Sequence, residues 1–201
     1  MLDLAVSEGY GWIFPKTEEA AIGIGLFRGK TGHPRYEYGG FLKRNEVPAE
    51  TGAHPHGAVL PLYQKSRPRL AQGRVLLTGD AAALVDPFFG EGIYYAVRSA
   101  QMAAEAVFNA LNQGDAISSY DDEIAAGFYP EFRVADRMAL LVYTFPGFFI
   151  ETVRRYPGLM KNYIAVFQGE QGYCGFWKQS QRRLFQKLNP FRRFFAASSR
   201  S

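Results

Sequence analysis

Aromatic and β-branched residues crowd positions 10–14 and 19–27, and Pro15-Lys16-Thr17-Glu18 separates the two runs. That pattern predicts two strands joined by a tight connection. A side-chain period of two puts Tyr10, Trp12 and Phe14 on one face of the first strand. Residues 28–56 are dense in Gly, Pro and charge and read as loop, with a short helix near residues 36–44 and another short strand over 57–62. From residue 74 the pattern sharpens. Val75-Leu76-Leu77-Thr78 is an apolar strand, residues 79–91 form a turn punctuated by Gly79, Pro87 and Gly90, and residues 92–111 form an alanine-rich helix stopped by Gly114. Helices are predicted over 117–143, interrupted near Pro130, and over 148–155 and 157–167. The expected class is α+β in three segments: a portion of sheet at 1–73, a strand-turn-helix at 74–114, and a helical region with a basic, aromatic tail at 115–201.

The turn carries the chemistry. In the run from Leu77 to Ile93 an acidic residue sits at a strand's end and glycines open a long helix. Gly79 turns the chain without a Cβ, and the small Ala81 and Ala82 let a bulky ligand approach the backbone. Asp80 can accept hydrogen bonds from a sugar-alcohol hydroxyl. Gly90 and Gly92 are expected to leave free N–H groups at the helix start, where the macrodipole favours negative charge, and Pro87 fixes the turn.

Gly79-Asp80-Ala81-Ala82, Asp86-Pro87 and Gly90-Glu91-Gly92-Ile93, in register after an apolar strand, resemble the second flavin motif of the hydroxylase-like flavoproteins. With the upstream Tyr10-Gly11-Trp12-Ile13-Phe14-Pro15-Lys16, the chain resembles the geranylgeranyl reductase family from Leu4 to about Tyr143. The resemblance implies FAD as cofactor, held here by Gly79, Asp80, Ala81, Pro87, Gly90, Glu91, Gly92 and Ile93, with Asp80 on the ribitol chain. It implies that Tyr10, Trp12, Phe14 and Pro15 border a prenyl (geranylgeranyl) substrate, and that NADPH or a ferredoxin supplies reductant. The implied fold is a partial FAD-dependent oxidoreductase: antiparallel substrate-domain strands, the flavin-contacting strand-turn-helix and a helical carboxyl-terminal region, with the Rossmann half and its Gly-x-Gly-x-x-Gly turn not represented. Ala83 departs from the glycine that the family often has there. The run Gly23-Ile24-Gly25-Leu26-Phe27-Arg28-Gly29 is one residue too long to replace the missing motif, and Lys30 to Pro34 does not open a helix, so it reads as a substrate-domain strand.

Charge and composition narrow the rest. The single cysteine, Cys174, excludes an intramolecular disulfide and a multi-cysteine metal cage, so a reducing, cytoplasmic setting is expected and Cys174 receives no role. His33, His54 and His56 sit in a Pro- and Gly-rich stretch with no completing ligand cluster, and no metal is assigned. Residues 171–201 hold seven basic side chains and no acidic one, leaving 16 basic and 19 acidic groups in the first 170. On a tail helix, one reading sets Trp177, Leu184 and Leu188 toward lipid and the basic groups toward anionic head groups, giving peripheral membrane contact; in the other the helix docks by its aromatics with a solvated basic face. Nucleic acid is not expected as a partner, because the positive charge is confined to one short terminal segment. The activity implied by the resemblance is hydride transfer from reduced flavin to C=C bonds of a prenyl chain, with this chain alone incomplete. An aromatic monooxygenase or halogenase fragment, and an inactive module that binds prenyl lipid or membrane, stay open beside it. No residue stands out as catalytic proton donor.

Overall fold

The computed structural model describes residues 2–3, 6, 9–27, 33–48, 55–114 and 116–188. His54, residues 28–32 and residues 189–201 of the tail therefore lie outside the described residues. Among the described residues the chain is mixed α and β with two small antiparallel sheets. Strands β1 (Leu2–Asp3), β2 (Gly9–Pro15) and β3 (Ala20–Leu26) form the larger one in the order β1-β2-β3. Trp12 pairs with Gly23, Tyr10 with Gly25 and Phe14 with Ala21, so an aromatic ladder stands beside a ladder of small residues. A Cβ on Gly23 would come 2.3 Å from the Trp12 ring, which shows that the indole lies across the neighbouring strand. Behind the sheet, helix α1 (Pro34–Arg44) drives Phe41, fully buried, against Gly11, where a Cβ would fall 2.3 Å from the phenyl ring. Proline at its first turn and basic side chains in its last suit the helix ends.

The expected strand over 57–62 does not form: only Leu62 bridges, in parallel, to Val85. Pro61 has no N–H for a ladder, and the Leu62 N–H turns back to the Leu60 carbonyl at 3.0 Å. The strand predicted over 75–78 is shorter than expected. It is β5 (Val75–Leu76), paired with β4 (Ala71–Gln72), and side chains hold the rest. Asp121 accepts from the Leu70 and Ala71 N–H groups at 2.8 and 2.9 Å, and the Tyr120 hydroxyl donates to the Leu77 carbonyl at 2.8 Å. A short 3-10 turn (Gly79–Ala82) then leads toward α2 (Ile93–Gln113), which ends at Gly114 in the left-handed conformation, φ 76°.

Helices α3 (Ser119–Gly127), α4 (Tyr129–Thr144), α5 (Pro146–Arg155), α6 (Pro157–Phe167) and α7 (Tyr173–Leu188) follow. The expected interruption near Pro130 is the joint between α3 and α4 at Phe128. Helix α4 divides the core. Phe132 packs with Leu84, Tyr120, Ile124 and Phe128 on one side, and Ala135, Met138, Ala139 and Val142 pack with Phe88, Tyr173 and Phe176 on the other. Trp177 joins that second cluster, so the first turns of the tail helix dock on the core and do not present Trp177 to lipid. The side chains of Leu184 and Leu188 lie outside the described ones. By contrast Ile93, Val97 and Leu111 on α2 are exposed, 81%, 56% and 80%.

Ala83 follows the 3-10 turn at φ 52°, in the left-handed region that an L side chain occupies at a cost. Ala83→Gly is expected to stabilise the chain by about 1 kcal/mol, part of the relief being offset by glycine's greater freedom when unfolded. Urea unfolding midpoints check it; a lower midpoint would mean that the methyl is needed for packing.

Candidate functional site

The turn between the 3-10 segment and α2 is organised by Asp86, whose side chain is almost fully buried, 3% exposed. Its Oδ1 accepts from the backbone N–H of Phe88 at 2.6 Å and of Phe89 at 3.0 Å, and its Oδ2 accepts from the Tyr173 hydroxyl at 2.6 Å. Its backbone closes the same turn: the Asp86 N–H donates to the Glu91 carbonyl at 2.8 Å, and the Gly90 N–H to the Asp86 carbonyl at 3.0 Å. Burial pushes the Asp86 carboxyl above the usual carboxylate range, against the opposing pull of three donors. Tyr173 is held neutral by burial first and by the adjacent Asp86 second, its hydroxyl pushed well above the ordinary value. Two further tyrosines fasten the turn. Tyr143 donates to the Phe88 carbonyl at 2.6 Å and Tyr10, on β2, donates to the Phe89 carbonyl at 3.1 Å.

This last bond ties the aromatic ladder to the turn. Tyr10, Trp12 and Phe14 follow one another at ring separations of 5.7 and 6.4 Å; Tyr10 and Trp12 are half-buried and Phe14 is 54% exposed. Phe27 continues the wall from Tyr10 and stacks on Tyr143 at 4.6 Å. The two sequence motifs are thus joined by a bond between residues 79 positions apart.

The residues of the turn fall into two groups. Asp80, Ala81 and Ile93 are exposed, and Gly92 is the N-cap of α2. A Cβ on Gly92 would sit 3.1 Å from the Asp80 carboxylate, so the missing side chain leaves the space beside that oxygen open. Gly79 needs to be glycine: its φ is 53°, a Cβ would come 2.9 Å from that of Ala96, and its N–H donates to Ser99 Oγ at 3.0 Å. Pro87 and Ala82 are buried and serve the core side of the turn. Gly90 does not offer the free N–H expected of it, because that group is spent within the turn on Asp86. Glu91 also works locally, its Oε1 accepting from the Tyr94 N–H at 2.8 Å in the first turn of α2. Pro15, at the outer end of β2, is exposed. Burial and the neighbouring Glu131 push the Cys174 thiol up, which disfavours the thiolate.

The chain is 34% identical over 113 residues to a geranylgeranyl diphosphate reductase of Synechocystis, a match covering 56% of this chain and 28% of the relative. It is 32% identical over 130 residues to a digeranylgeranylglycerophospholipid reductase of Methanocella arvoryzae, covering 58% and 31%. These matches support the geranylgeranyl reductase family for the segment they cover. A menaquinone reductase of Mycobacterium tuberculosis matches it at 33% over 153 residues, 73% of this chain and 36% of that one. The chain thus spans about a third of the length of the curated relatives it matches. No family profile matches it, and no solved structure does. Tyr143 and Tyr173, which hold the reductase-family turn in position, carry no local sequence signal. The role of Asp86 does: an Asp whose carboxylate caps the N–H groups two and three residues on is an Asx turn, favoured in Asp-Pro runs.

Asp86→Ala leaves two N–H groups and a tyrosine hydroxyl buried without an acceptor and is expected to cost about 3 kcal/mol or more. Asp86→Asn keeps an acceptor for the N–H pair and is expected to cost far less. The raised carboxyl gives a sign: the folded chain holds this proton more tightly than the unfolded one. That contribution is complete below the ordinary carboxylate range and is lost as pH rises through the raised value. Wild type should therefore lose stability relative to Asp86→Asn across that window. Parallel urea titrations at stepped pH would show it, and a constant difference would refute the assignment.

Proposed function

We propose that this chain forms the prenyl-chain wall and the flavin-ring side of a flavin-dependent prenyl reductase. The observation that supports the reading is the Tyr10–Phe89 bond, which joins the aromatic ladder to the turn that runs on to Gly92 beside Asp80. A flavin's sugar-alcohol chain fits beside Asp80, whose exposed carboxylate can accept from its hydroxyls, while Ala81 and the bare Gly92 leave room for close approach. The amino end of α2, a helix of 21 residues, favours negative charge at the ring's pyrimidine edge. Tyr10, Trp12 and Phe14 supply a rigid apolar face along which a prenyl chain can lie. The chemistry that the flavin supplies when bound is hydride transfer to a C=C bond of that chain. The chain's own residues orient the two partners and exclude water from the apolar side. NADPH or a ferredoxin would serve as electron donor, in a reducing, cytoplasmic setting.

The reading calls for a nucleotide-binding portion to complete the site, matching the relatives' additional length. The exposed apolar stripe of α2, with Val75 at 61% exposure nearby in the chain, is the kind of surface such a portion would cover. Among the described residues no helix is long and apolar enough to cross a membrane. Lys178 and Arg182 on the exposed side of α7 leave peripheral contact with anionic lipid open to the basic end of the chain.

The test joins this chain to the portion of the Synechocystis relative that it does not match. Asp80→Ala is expected to weaken flavin binding by about tenfold to a hundredfold, the loss of one or two charge-assisted hydrogen bonds, with little change in melting temperature because the side chain is exposed. Unchanged flavin affinity, read by fluorescence quenching, would remove the assignment. Trp12→Ala in the same protein should lower affinity for a geranylgeranyl substrate by about tenfold or more while flavin stays bound. Should flavin be released and the fold melt instead, Trp12 is core and no substrate wall.

A further inference from the structure

A second site lies away from the flavin turn. A cavity of about 290 Å³ opens between the irregular segment at 63–67, which bends at residues 65–66, and one face of α4. The segment contributes Tyr63, Lys65 and Arg67 to its lining, and α4 contributes Tyr129, Arg133 and Arg137 at helical spacing. Asp136 is the one carboxylate in the lining, 3.8 Å from the Lys65 ammonium. Four cations against one anion is a local excess of positive charge in a body whose first 170 residues hold 16 basic and 19 acidic groups. General surface basicity does not account for it.

The hydroxyls of the cavity point to the same kind of ligand. Tyr129 is only 4% exposed, its ring packs on Tyr63 at 5.3 Å, and its hydroxyl makes no hydrogen bond among the described residues. Tyr63 also packs on Phe132 at 5.3 Å, so the floor is aromatic and fixed. Burial, with Tyr63 beside it, pushes the Tyr129 hydroxyl up and keeps it a neutral donor. Three guanidinium forks, an ammonium and two tyrosyl donors around one cavity suit an anion of several oxygens and high charge. The Tyr63 N–H bonds the Val85 carbonyl at 3.2 Å, so the wall of the cavity is anchored one residue before Asp86.

We propose that this cavity binds a diphosphate group, through Arg67, Arg133, Arg137 and Lys65 with the Tyr129 hydroxyl as a further donor. Two sources present that chemistry, the head of a prenyl diphosphate and the pyrophosphate of a dinucleotide cofactor. The choice between them rests on the proposed prenyl reductase function, whereas the anion site itself does not.

The test uses the full chain and isothermal titration with inorganic pyrophosphate. Arg133 and Arg137 are exposed, so Arg133→Gln with Arg137→Gln should leave the melting temperature within a few degrees while lowering pyrophosphate affinity at least tenfold. Tyr129→Phe should weaken it several-fold, and Lys178→Gln with Arg182→Gln, which removes the same charge from α7, should leave it unchanged. Loss of binding with added salt is also expected. Displacement of bound pyrophosphate by geranylgeranyl diphosphate but not by FAD would assign the prenyl head, the reverse would assign the cofactor, and either upholds the site. No pyrophosphate binding by wild type at low salt would overturn it, as would equal losses in the α4 and α7 double variants. Geranylgeraniol separates the two proposals: if it binds in a Trp12-dependent way while pyrophosphate does not bind, the prenyl reading stands and the diphosphate site falls. If pyrophosphate binds and is lost in the α4 variant, with no prenyl binding at all, the diphosphate site stands and the prenyl reading falls.

Discussion

A carboxylate almost without access to water must be met by donors, and the way Asp86 is met sets most of this structure. Two of its three donors are the N–H groups of Phe88 and Phe89, which curl the turn back on itself, and the third is Tyr173 at the start of α7. Gly90 and Glu91 close the loop from the other side through the Asp86 backbone. The amino end of α2 and the start of α7 are thereby fixed to one turn. Phe88 and Phe89 are pressed into a ring cluster with Tyr163 and Tyr173.

Buried loops are uncommon because their backbone groups lack ladder partners. This chain meets that demand with tyrosines. Tyr10, Tyr120 and Tyr143 each bury an apolar ring and hand a hydroxyl to a carbonyl, of Phe89, Leu77 and Phe88 in turn. Burial pushes the Tyr120 hydroxyl up to about 12, and that of Tyr143 further, so these donors stay protonated across the physiological range. Ser99 and Asp121 do the same for the N–H groups of Gly79, Leu70 and Ala71. A strand of two residue pairs can end in an ordered turn because side chains supply what a wider sheet would.

Helix α4 shows how one element serves several ends. Its apolar faces supply Phe132 to one cluster and Ala135, Met138, Ala139 and Val142 to the other. Its polar face carries Arg133, Asp136 and Arg137 to the basic cavity. In sequence these side chains are an ordinary amphipathic alternation. Only the irregular segment at 63–67 lying alongside gives the charges a shared space.

The elements set by near neighbours were legible in the sequence. The two strands, the helix of residues 34–44, the glycine stop at 114 and the break before Pro130 follow from side-chain period, proline geometry and glycine's left-handed freedom, all of which act within a few residues. The one-sided aromatic ladder followed likewise from the pleat. The length of the strand after residue 74 and the absence of one at 57–62 depended on which partners were within reach, and so did the fate of the Gly90 N–H. The bonds that assemble the site span 55, 79 and 87 positions, far outside any local pattern. The sequence by itself determined the turn, its exposed acid and the aromatic wall. Tertiary structure decided that they adjoin, because a hydroxyl and a carbonyl distant in the chain meet only after the core has packed.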